Sequence, residues 1–184
     1  MKLLALALAL AGTSVLATST PAGALNIGET HISRSQATDA AIQARSDMLD
    51  AFGPVDLAPG KYLWREVPAS AGDERVVISL GDQMAYLYRG NSLMAVTTIS
   101  SGTDRNPTPM GIFTVHTKKE MHRSRKYENA PMPFAQFIDQ YGIALHAGRL
   151  PGHPASHGCV RLPPKFAQRL YGLTKIGSKV VIEG

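Results

Sequence analysis

Cysteine is nearly absent from this chain of 184 residues, which contains only Cys159. The chain therefore cannot form an internal disulfide, and it has no C-x-x-C pair for a zinc knuckle. It also lacks a G-x-S-x-G segment, the turn that exposes the nucleophile of many serine hydrolases. An unpaired cysteine is either buried and inert or a working thiol. Its presence alone leaves both alternatives open.

Long hydrophobic runs are lacking as well. The apolar stretch at residues 3–12 is shorter than the roughly 20 residues that a membrane-spanning helix needs. Lys2 precedes this stretch, and small residues ending in Ala22-Gly23-Ala24 follow it. This is the pattern of a signal peptide with an A-x-A cleavage site. We therefore predict a signal peptide over residues 1–24, no transmembrane segment and an exported protein.

Charge is present only in modest excess, with 19 Lys and Arg against 14 Asp and Glu, a net charge of +5. No block of like charge indicates a nucleic-acid site, and we expect no nucleic-acid partner. A small positive excess suits an anionic surface such as a cell wall or a membrane. The length favours one main domain with a single core.

Residues 25–72 are predicted to form an N-terminal helical arm and a linker. Ser33 followed by Gln36 fits a capping box, and Gly53-Pro54 ends the helix. Apolar residues recur mostly at helical spacing between these signals: Ala41, Ile42, Met48, Leu49 and Phe52. The helix either packs on the main domain or lies loosely beside it. The linker contains a short strand at residues 61–64.

From residue 73 the pattern becomes rich in β-forming residues. Runs at 75–80, 84–88 and 93–99, separated by turns, predict a three-stranded antiparallel meander. Further strands are predicted at 112–117, 143–145 and 179–182. Residues 165–171 have the apolar spacing of a short helix, which Gly172 would end.

Residues 118–139 differ from their surroundings because they are basic and aromatic, with prolines and weak periodicity. A segment of this length without regular structure in a compact domain is usually functional or disordered. We interpret it as a lid or wall over a cleft. The alternative is an ordinary surface loop with a solvated basic face.

The chemistry of the chain is concentrated in residues 142–163, which hold three of its six histidines and Cys159. A reactive thiol needs a base, donors for the charge that develops on its target, and a tight turn that exposes the sulfur. Histidines and glycines within fourteen residues supply these features: His146, Gly148, Gly152, His153, His157 and Gly158.

The segment Ser156-His157-Gly158-Cys159-Val160-Arg161, with His146 upstream, resembles the signature of the L,D-transpeptidase catalytic domain. The turn at residues 108–113 and the stretch at 132–134 match that family too. The resemblance covers about residues 75–184, with a weaker match at 59–64. It implies a mostly β catalytic domain, sandwich-like or barrel-like with one or two short helices, over residues 73–184.

The resemblance also implies a reaction. The acyl donor is a peptidoglycan tetrapeptide stem, which is cleaved before its terminal D-alanine. A thioester forms on the cysteine, and an amine from the diamino acid of a neighbouring acceptor stem resolves it into a 3→3 cross-link. Carbapenems trap the family. We expect no metal or cofactor, a monomer, and a location in the periplasm or at the cell wall.

Roles follow from the matching positions. The resemblance makes Cys159 the nucleophile and His146 its base, which as an imidazolium would hold the thiolate. The backbone carbonyl of Ala147 would orient the His146 ring, in place of the carboxylate of other triads. Gly158 and Cys159 would present backbone N–H groups as an oxyanion hole.

Other residues of the motif have less defined roles. His157 either lines the acceptor side or holds the loop by a hydrogen bond, and Ser156 braces the turn or contacts substrate. Arg161 pairs with a carboxylate of the donor stem or with an internal acid. Three residues of the preceding segment are candidates for contacts with substrate: Tyr127, Met132 and Phe134.

Two different functions compete with acyl transfer. A zinc site could use His146, His153, His157 and Cys159, although prolines and glycines separate them and no helical pair frames them. A non-catalytic wall-binding module is the other. Among enzymes, the same thioester serves other acceptors: water gives a carboxypeptidase or endopeptidase, and a protein lysine gives an enzyme that attaches proteins to peptidoglycan.

Overall fold

The computed structural model describes residues 30–184. The predicted signal peptide, residues 1–24, lies outside the described residues. None of the helices within residues 30–184 has the length and apolar character that a membrane span requires.

Ten strands and two α-helices make up the described chain, together with one 3₁₀ turn at Ala69–Ala71. In chain order they are α1 (His31–Phe52), β1 (Tyr62–Trp64), β2 (Glu74–Ser79), β3 (Met84–Arg89), β4 (Ser92–Thr98), β5 (Gly111–Thr114), β6 (Thr117–Ser124), β7 (Ala130–Phe137), β8 (Ala144–Ala147), β9 (Val160–Leu162), α2 (Pro164–Leu173) and β10 (Lys179–Glu183).

The larger sheet has six strands in the order β1-β4-β3-β2-β10-β5. Strands β2, β3 and β4 pair antiparallel, which confirms the predicted meander. Strand β10 lies between β2 and β5, parallel to β2 and antiparallel to β5. At one edge β1 pairs with β4, so the predicted linker contributes a strand to this sheet.

The smaller sheet has four strands in the order β6-β7-β8-β9. Strands β6 and β7 form an antiparallel hairpin over much of residues 118–139, so the prediction of a segment without regular structure is wrong. Pro131 and Pro133 lie in a part of β7 that has no partner in β8, which pairs only with Gln136 and Phe137. Proline cannot donate to a ladder and is tolerated at such an edge.

The main core lies between the two sheets, and strand β2 illustrates how it forms. Its side chains alternate between faces. Val76 and Ile78 join the core that also contains Leu145 of β8 and Phe166 of α2, whereas Val77 faces α1. Each fully buried aliphatic side chain contributes about 1.5–3 kcal/mol. Because both faces are covered, β2 reads as a continuous apolar run.

Helix α1 covers the outer face of the six-stranded sheet. Its N-cap is Thr30, whose Oγ1 accepts a hydrogen bond from the Ser33 N–H at 3.1 Å. The Ser33 hydroxyl in turn accepts from the Thr30 N–H at 3.0 Å. The predicted capping box of Ser33 and Gln36 is therefore wrong by about one turn, although Gly53 ends the helix as expected.

The face that α1 buries also differs from the prediction. Ala37, Ala41 and Ala44 are fully buried, whereas Ile42 and Leu49 are each 56% exposed. Small side chains allow the helix backbone to approach the sheet closely, which larger apolar residues on that face would prevent. The helix packs on the domain rather than lying loosely beside it.

Helix α2 packs against β7 and β8 and runs through Gly172 to Leu173, so the prediction that Gly172 ends it is wrong. Lys118 of β6 donates through Nζ to the carbonyls of Tyr171, at 2.6 Å, and Thr174. A lysine at this position satisfies carbonyls that a helix C-terminus leaves unpaired. This contact ties the hairpin to the helix.

Candidate active site

Of the two predicted catalytic side chains, His146 lies on strand β8 and Cys159 lies immediately before the neighbouring strand β9. Strands β8 and β9 pair in parallel, with Leu145 opposite Val160 and His146 opposite Arg161, and Cys159 immediately precedes β9. Because side chains alternate along a strand, Leu145 enters the core while His146 lies on the opposite face. Both His146 and Cys159 line a cleft of about 710 Å³. Thirteen positions separate them in the sequence, and the parallel pairing of β8 and β9 places both on the same cleft.

The His146 ring is held by its own strand. Its Nδ1 lies 2.8 Å from the carbonyl oxygen of Ala147, and the side chain is buried. A carbonyl can only accept, so Nδ1 carries the proton and Nε2 is the basic nitrogen. Burial lowers the pKa of His146, while the bond to Ala147 works in the opposite direction. The contact is the one expected between this ring and the Ala147 carbonyl.

Cys159 is half-buried, and its thiol points to the carbonyl of Gly142 with an Sγ–O distance of 3.7 Å. Burial raises the pKa of the Cys159 thiol. A backbone hydrogen bond from Ala144 lowers that pKa, the negative charge of Asp139 raises it, and the positive charge of Arg161 lowers it. Burial dominates these opposing effects.

These shifts bear on the resting state of the cleft. A raised pKa at Cys159 and a lowered pKa at His146 both favour uncharged forms. Both directions favour a neutral resting pair over the imidazolium and thiolate expected from the sequence, which stays a prediction. A neutral imidazole that shares a cleft with a neutral thiol is suited to accept the thiol proton when an electrophile arrives.

The turn before Cys159 is fastened by Ser156. Its hydroxyl donates to the Cys159 carbonyl and accepts from the Gly158 N–H at 3.1 Å, and its side chain is buried. Of the two roles that the sequence left open for Ser156, this geometry supports bracing the turn. It also engages the Gly158 N–H, which the sequence had assigned to the oxyanion hole. The role of the Gly158 N–H as an oxyanion donor stays a prediction, and it requires the Ser156 hydroxyl to release this group.

Gly158 is nevertheless required as glycine. Its φ is +105°, and a Cβ added there would lie 2.6 Å from Ile143 Cδ1. Thr108 supports the same residue, since its Oγ1 donates to the Gly158 carbonyl at 2.8 Å and accepts from the Gly102 N–H at 2.9 Å. In the sequence Thr108 is recognisable only as part of the turn at residues 108–113, because the Gly158 carbonyl that it binds lies fifty positions later.

A second supporting residue, Asp139, was also missed. Its Oδ1 accepts from the N–H groups of Tyr141, at 3.0 Å, and Ile143, at 2.8 Å. The carboxylate therefore shapes the turn whose Gly142 carbonyl faces the thiol. An aspartate shortly before a glycine is a signal for such a turn, and it could have been found in the sequence.

The β6–β7 hairpin forms one wall of the cleft, as the sequence predicted for this segment. At its tip the Tyr127 ring stacks on the imidazole of His157, with 4.2 Å between centroids and an interplanar angle of 18°. Further along β7, Met132 belongs to a small buried cluster against which Cys159 packs, and Phe134 lies near Tyr171. His157 thus contacts the hairpin through its ring, and within residues 30–184 that ring makes no hydrogen bond that would hold the loop.

Arg161 lines the cleft from β9, and Arg149 does so from the segment that follows β8. Within residues 30–184 the Arg161 guanidinium makes no ion pair with an acid. Of the two predicted partners of Arg161, the internal acid is therefore excluded for the described chain. Arg149 was not singled out from the sequence.

The four predicted metal donors do not come together. His153 is exposed and does not line the cleft that His146, His157 and Cys159 share. In the described part of the chain, no group of three or more His, Cys, Asp or Glu side chains could hold a metal ion. The competing zinc-site hypothesis thus has no geometric support in residues 30–184.

Comparisons with known proteins agree on the fold. Similar solved structures include an L,D-transpeptidase from Stackebrandtia nassauensis, which is 25% identical in sequence. The match covers 66% of this chain and 58% of that one, with a TM-score of 0.57. One from Xylanimonas cellulosilytica DSM 15894 is 28% identical, covering 65% and 64%, TM-score 0.55. L,D-transpeptidase 3 from Mycobacterium tuberculosis, in complex with a faropenem-derived adduct, is 20% identical, covering 61% and 60%, TM-score 0.56.

This chain spans less than two thirds of the length of each of these solved chains. The sequence matched none of the curated proteins with which it was compared. Residues 73–182 match the family model YkuD, described as the L,D-transpeptidase catalytic domain. Because this match covers more than half of the 184 residues and the solved folds agree with it, the chain belongs to the L,D-transpeptidase catalytic domain family.

Proposed function

We propose that this protein is an exported L,D-transpeptidase that uses Cys159 to transfer acyl groups between peptidoglycan stem peptides. The observation that carries the proposal is that one cleft holds Cys159 together with His146, whose ring is oriented by the Ala147 carbonyl. The signal-peptide pattern of residues 1–24 supports export to the periplasm or the cell wall.

The acylation step begins with a neutral pair. His146 Nε2 accepts the thiol proton as the sulfur of Cys159 attacks the carbonyl carbon of the bond before the terminal D-alanine. A C–S bond forms, and the C–N bond to D-alanine breaks. His146 returns the proton to the departing amine, so D-alanine leaves as a neutral amine that is protonated in solution.

The transferring step reverses these roles. An amine from the diamino acid of a neighbouring stem attacks the thioester, and His146 accepts its proton. The new amide is a 3→3 cross-link, and the sulfur recovers a proton from His146. All groups of the enzyme return to their starting state, and neither half-reaction needs an oxidant or a metal.

The tetrahedral intermediate of each step carries negative charge on oxygen. We assign the Cys159 N–H as its donor, because Ser156 already engages the Gly158 N–H in the resting turn. The Gly158 N–H becomes a second donor only if the Ser156 hydroxyl gives it up. Loss of one such donor in other enzymes costs about a hundredfold to a thousandfold in kcat.

The experiment that tests the proposal is intact-mass spectrometry of the full chain after incubation with a carbapenem. A β-lactam is a suitable probe because the solved relative from M. tuberculosis carries a faropenem-derived adduct. We expect one adduct per chain, absent from Cys159→Ala. His153→Ala is the matched control, because His153 lies outside the cleft, and it should form the adduct at nearly the normal rate.

Assays with purified stem peptides then identify the acceptor. A cross-linked dimer with loss of D-alanine supports transpeptidation, and Cys159→Ser should abolish it. Tripeptide without dimer would instead identify water as the acceptor and a carboxypeptidase. Failure to form an adduct, together with no conversion of stem peptides, would overturn the enzyme assignment and favour a wall-binding module.

A further inference from the structure

The cleft is lined by cations and lacks acids. Three Lys and Arg side chains line it: Lys126, Arg149 and Arg161. None of the Asp and Glu residues within 30–184 does. None of the three forms an ion pair within residues 30–184. Basic residues elsewhere in that range that do form ion pairs include Arg45, Arg89, Arg169 and Lys175. The cleft therefore has positive charge that the described protein leaves uncompensated.

Arg149 and Arg161 lie on neighbouring segments of the backbone. Arg161 lies opposite His146 in the pairing of β8 and β9, and Arg149 follows the end of β8 by two positions. Between them is Gly148, where an added Cβ would lie 2.9 Å from Cγ of Arg161. The stem of Arg161 therefore crosses directly over Gly148, beside the backbone of Arg149.

This arrangement suits a carboxylate ligand. Each guanidinium offers a planar fork of N–H donors that matches the two oxygens of a carboxylate. Much of the cleft wall is apolar, with Met132, Phe134 and Ile143 among its residues, which strengthens electrostatic attraction relative to open water. An uncharged carboxamide of the same shape would gain far less from two unpaired guanidinium groups.

We propose that Arg149 and Arg161 together bind a carboxylate of the acyl-donor stem and so select anionic donors over amidated ones. The inference rests on the proposed acyl transfer at Cys159. A tetrapeptide stem offers two carboxylates near the scissile bond, one on the side chain of its diamino acid and one on its terminal D-alanine.

The test compares three synthetic donors: the free tetrapeptide stem, its diamino-acid side-chain carboxamide, and its C-terminal carboxamide. The rate of acyl transfer gives kcat/KM for each donor with the full-length protein. We expect one amidated donor to react roughly tenfold or more slowly than the free stem, as loss of a charge-assisted contact implies. The slower donor identifies which carboxylate the arginines bind.

The ratio of kcat/KM for the free stem to kcat/KM for the slower amidated donor measures the preference. Arg149→Gln and Arg161→Gln should each bring this ratio towards one, mainly by raising KM for the free stem. The positive charge of Arg161 also acts on Cys159 and His146. That effect is the same for all three donors and cancels in the ratio. Since the Arg161 guanidinium makes no ion pair with described residues, thermal unfolding of Arg161→Gln should match that of the wild type.

Lys179→Gln is the control for net charge, because it removes one cation from an exposed position on β10, away from the cleft. It should leave the ratio unchanged. Equal rates with all three donors would overturn the inference while leaving acyl transfer intact, and so would discrimination that survives both arginine substitutions. Absence of turnover with every donor, together with no carbapenem adduct, would overturn the proposed function as well.

Discussion

The ring of Tyr127 stacks on the imidazole of His157 and joins the tip of the hairpin to the turn that carries Cys159. The two residues are 30 positions apart, and one belongs to each wall of the cleft. Stacking of this geometry contributes about 1 kcal/mol beyond the area that it buries. It therefore favours the arrangement of the two walls in which the rings are in contact.

A double-mutant cycle measures this contact. Tyr127→Ala and His157→Ala should each lower kcat/KM for a stem peptide, and the double variant should lose less than the product of the two effects. Tyr127→Phe keeps the ring and should behave nearly as the wild type. Strictly multiplicative effects would mean that the two rings act independently and that the stack does not shape the cleft.

Gly158→Ala should destabilise the protein by a combination of backbone strain and a steric clash. The residue has φ +105°, and the new Cβ would meet Ile143 Cδ1 at 2.6 Å. Strain at such a position costs about 1–3 kcal/mol. Urea denaturation should give a lower free energy of unfolding for Gly158→Ala than for the wild type.

Gly177→Ala is the matched control for that experiment, because Gly177 has φ +92° but open space around it. It reports backbone strain alone. Combining Gly158→Ala with Ile143→Val, which removes Cδ1, should recover part of the difference between the two glycine variants. No recovery would show that the clash with Ile143 is not what makes Gly158→Ala costly.

Thr108→Val should weaken the turn of Cys159 without changing its shape. The substitution deletes the hydroxyl that links the Gly102 N–H to the Gly158 carbonyl. Leaving these buried groups unpaired costs about 1–3 kcal/mol, which urea denaturation measures, and kcat should fall as well. Thr103→Val is the comparison, since the Thr103 hydroxyl makes no hydrogen bond among the described residues. Equal effects of the two substitutions would contradict the proposed bridge.

The reactivity of Cys159 towards a small alkylating agent should rise with pH later than that of an ordinary thiol. Burial raises the pKa of this thiol above its ordinary value of 9.0, and only the thiolate reacts. The half-maximal alkylation rate should therefore lie above pH 9 for the native protein. The urea-unfolded chain should show the ordinary value. A native midpoint below neutral pH would restore the ion pair that the sequence suggested.

How much of the fold the sequence predicts depends on how far apart in the chain the interacting residues lie. The meander of β2, β3 and β4 follows from local alternation and turns, and the sequence predicted it. The hairpin of β6 and β7 was missed because its side chains do not alternate cleanly between apolar and polar. Instead the apolar Met121 is exposed on β6, and the sequence of β7 contains two prolines, Pro131 and Pro133, which are unusual in a strand.

The same distinction between local and long-range interactions separates the site residues that the sequence identified from those that it missed. Cys159 and His146 were identified by their chemical type and by the family signature. Thr108 was missed as a bridge because its partner lies fifty positions away. The state of the Gly158 N–H depends on where the Ser156 hydroxyl points, which no sequence pattern specifies. Helix α1 was located by its periodicity, but its buried face depends on how closely it approaches the sheet.

The position of β10 has a consequence for how the molecule folds. This strand fills the gap between β2 and β5, and its parallel partner β2 lies more than 100 residues earlier in the chain. Pairings of such long range close large loops and slow folding, because chain entropy is lost before contacts repay it. The six-stranded sheet cannot be completed until residues 179–183 have been synthesised and have paired with β2 and β5. The core between the two sheets is therefore closed late in folding, by the last strand of the chain.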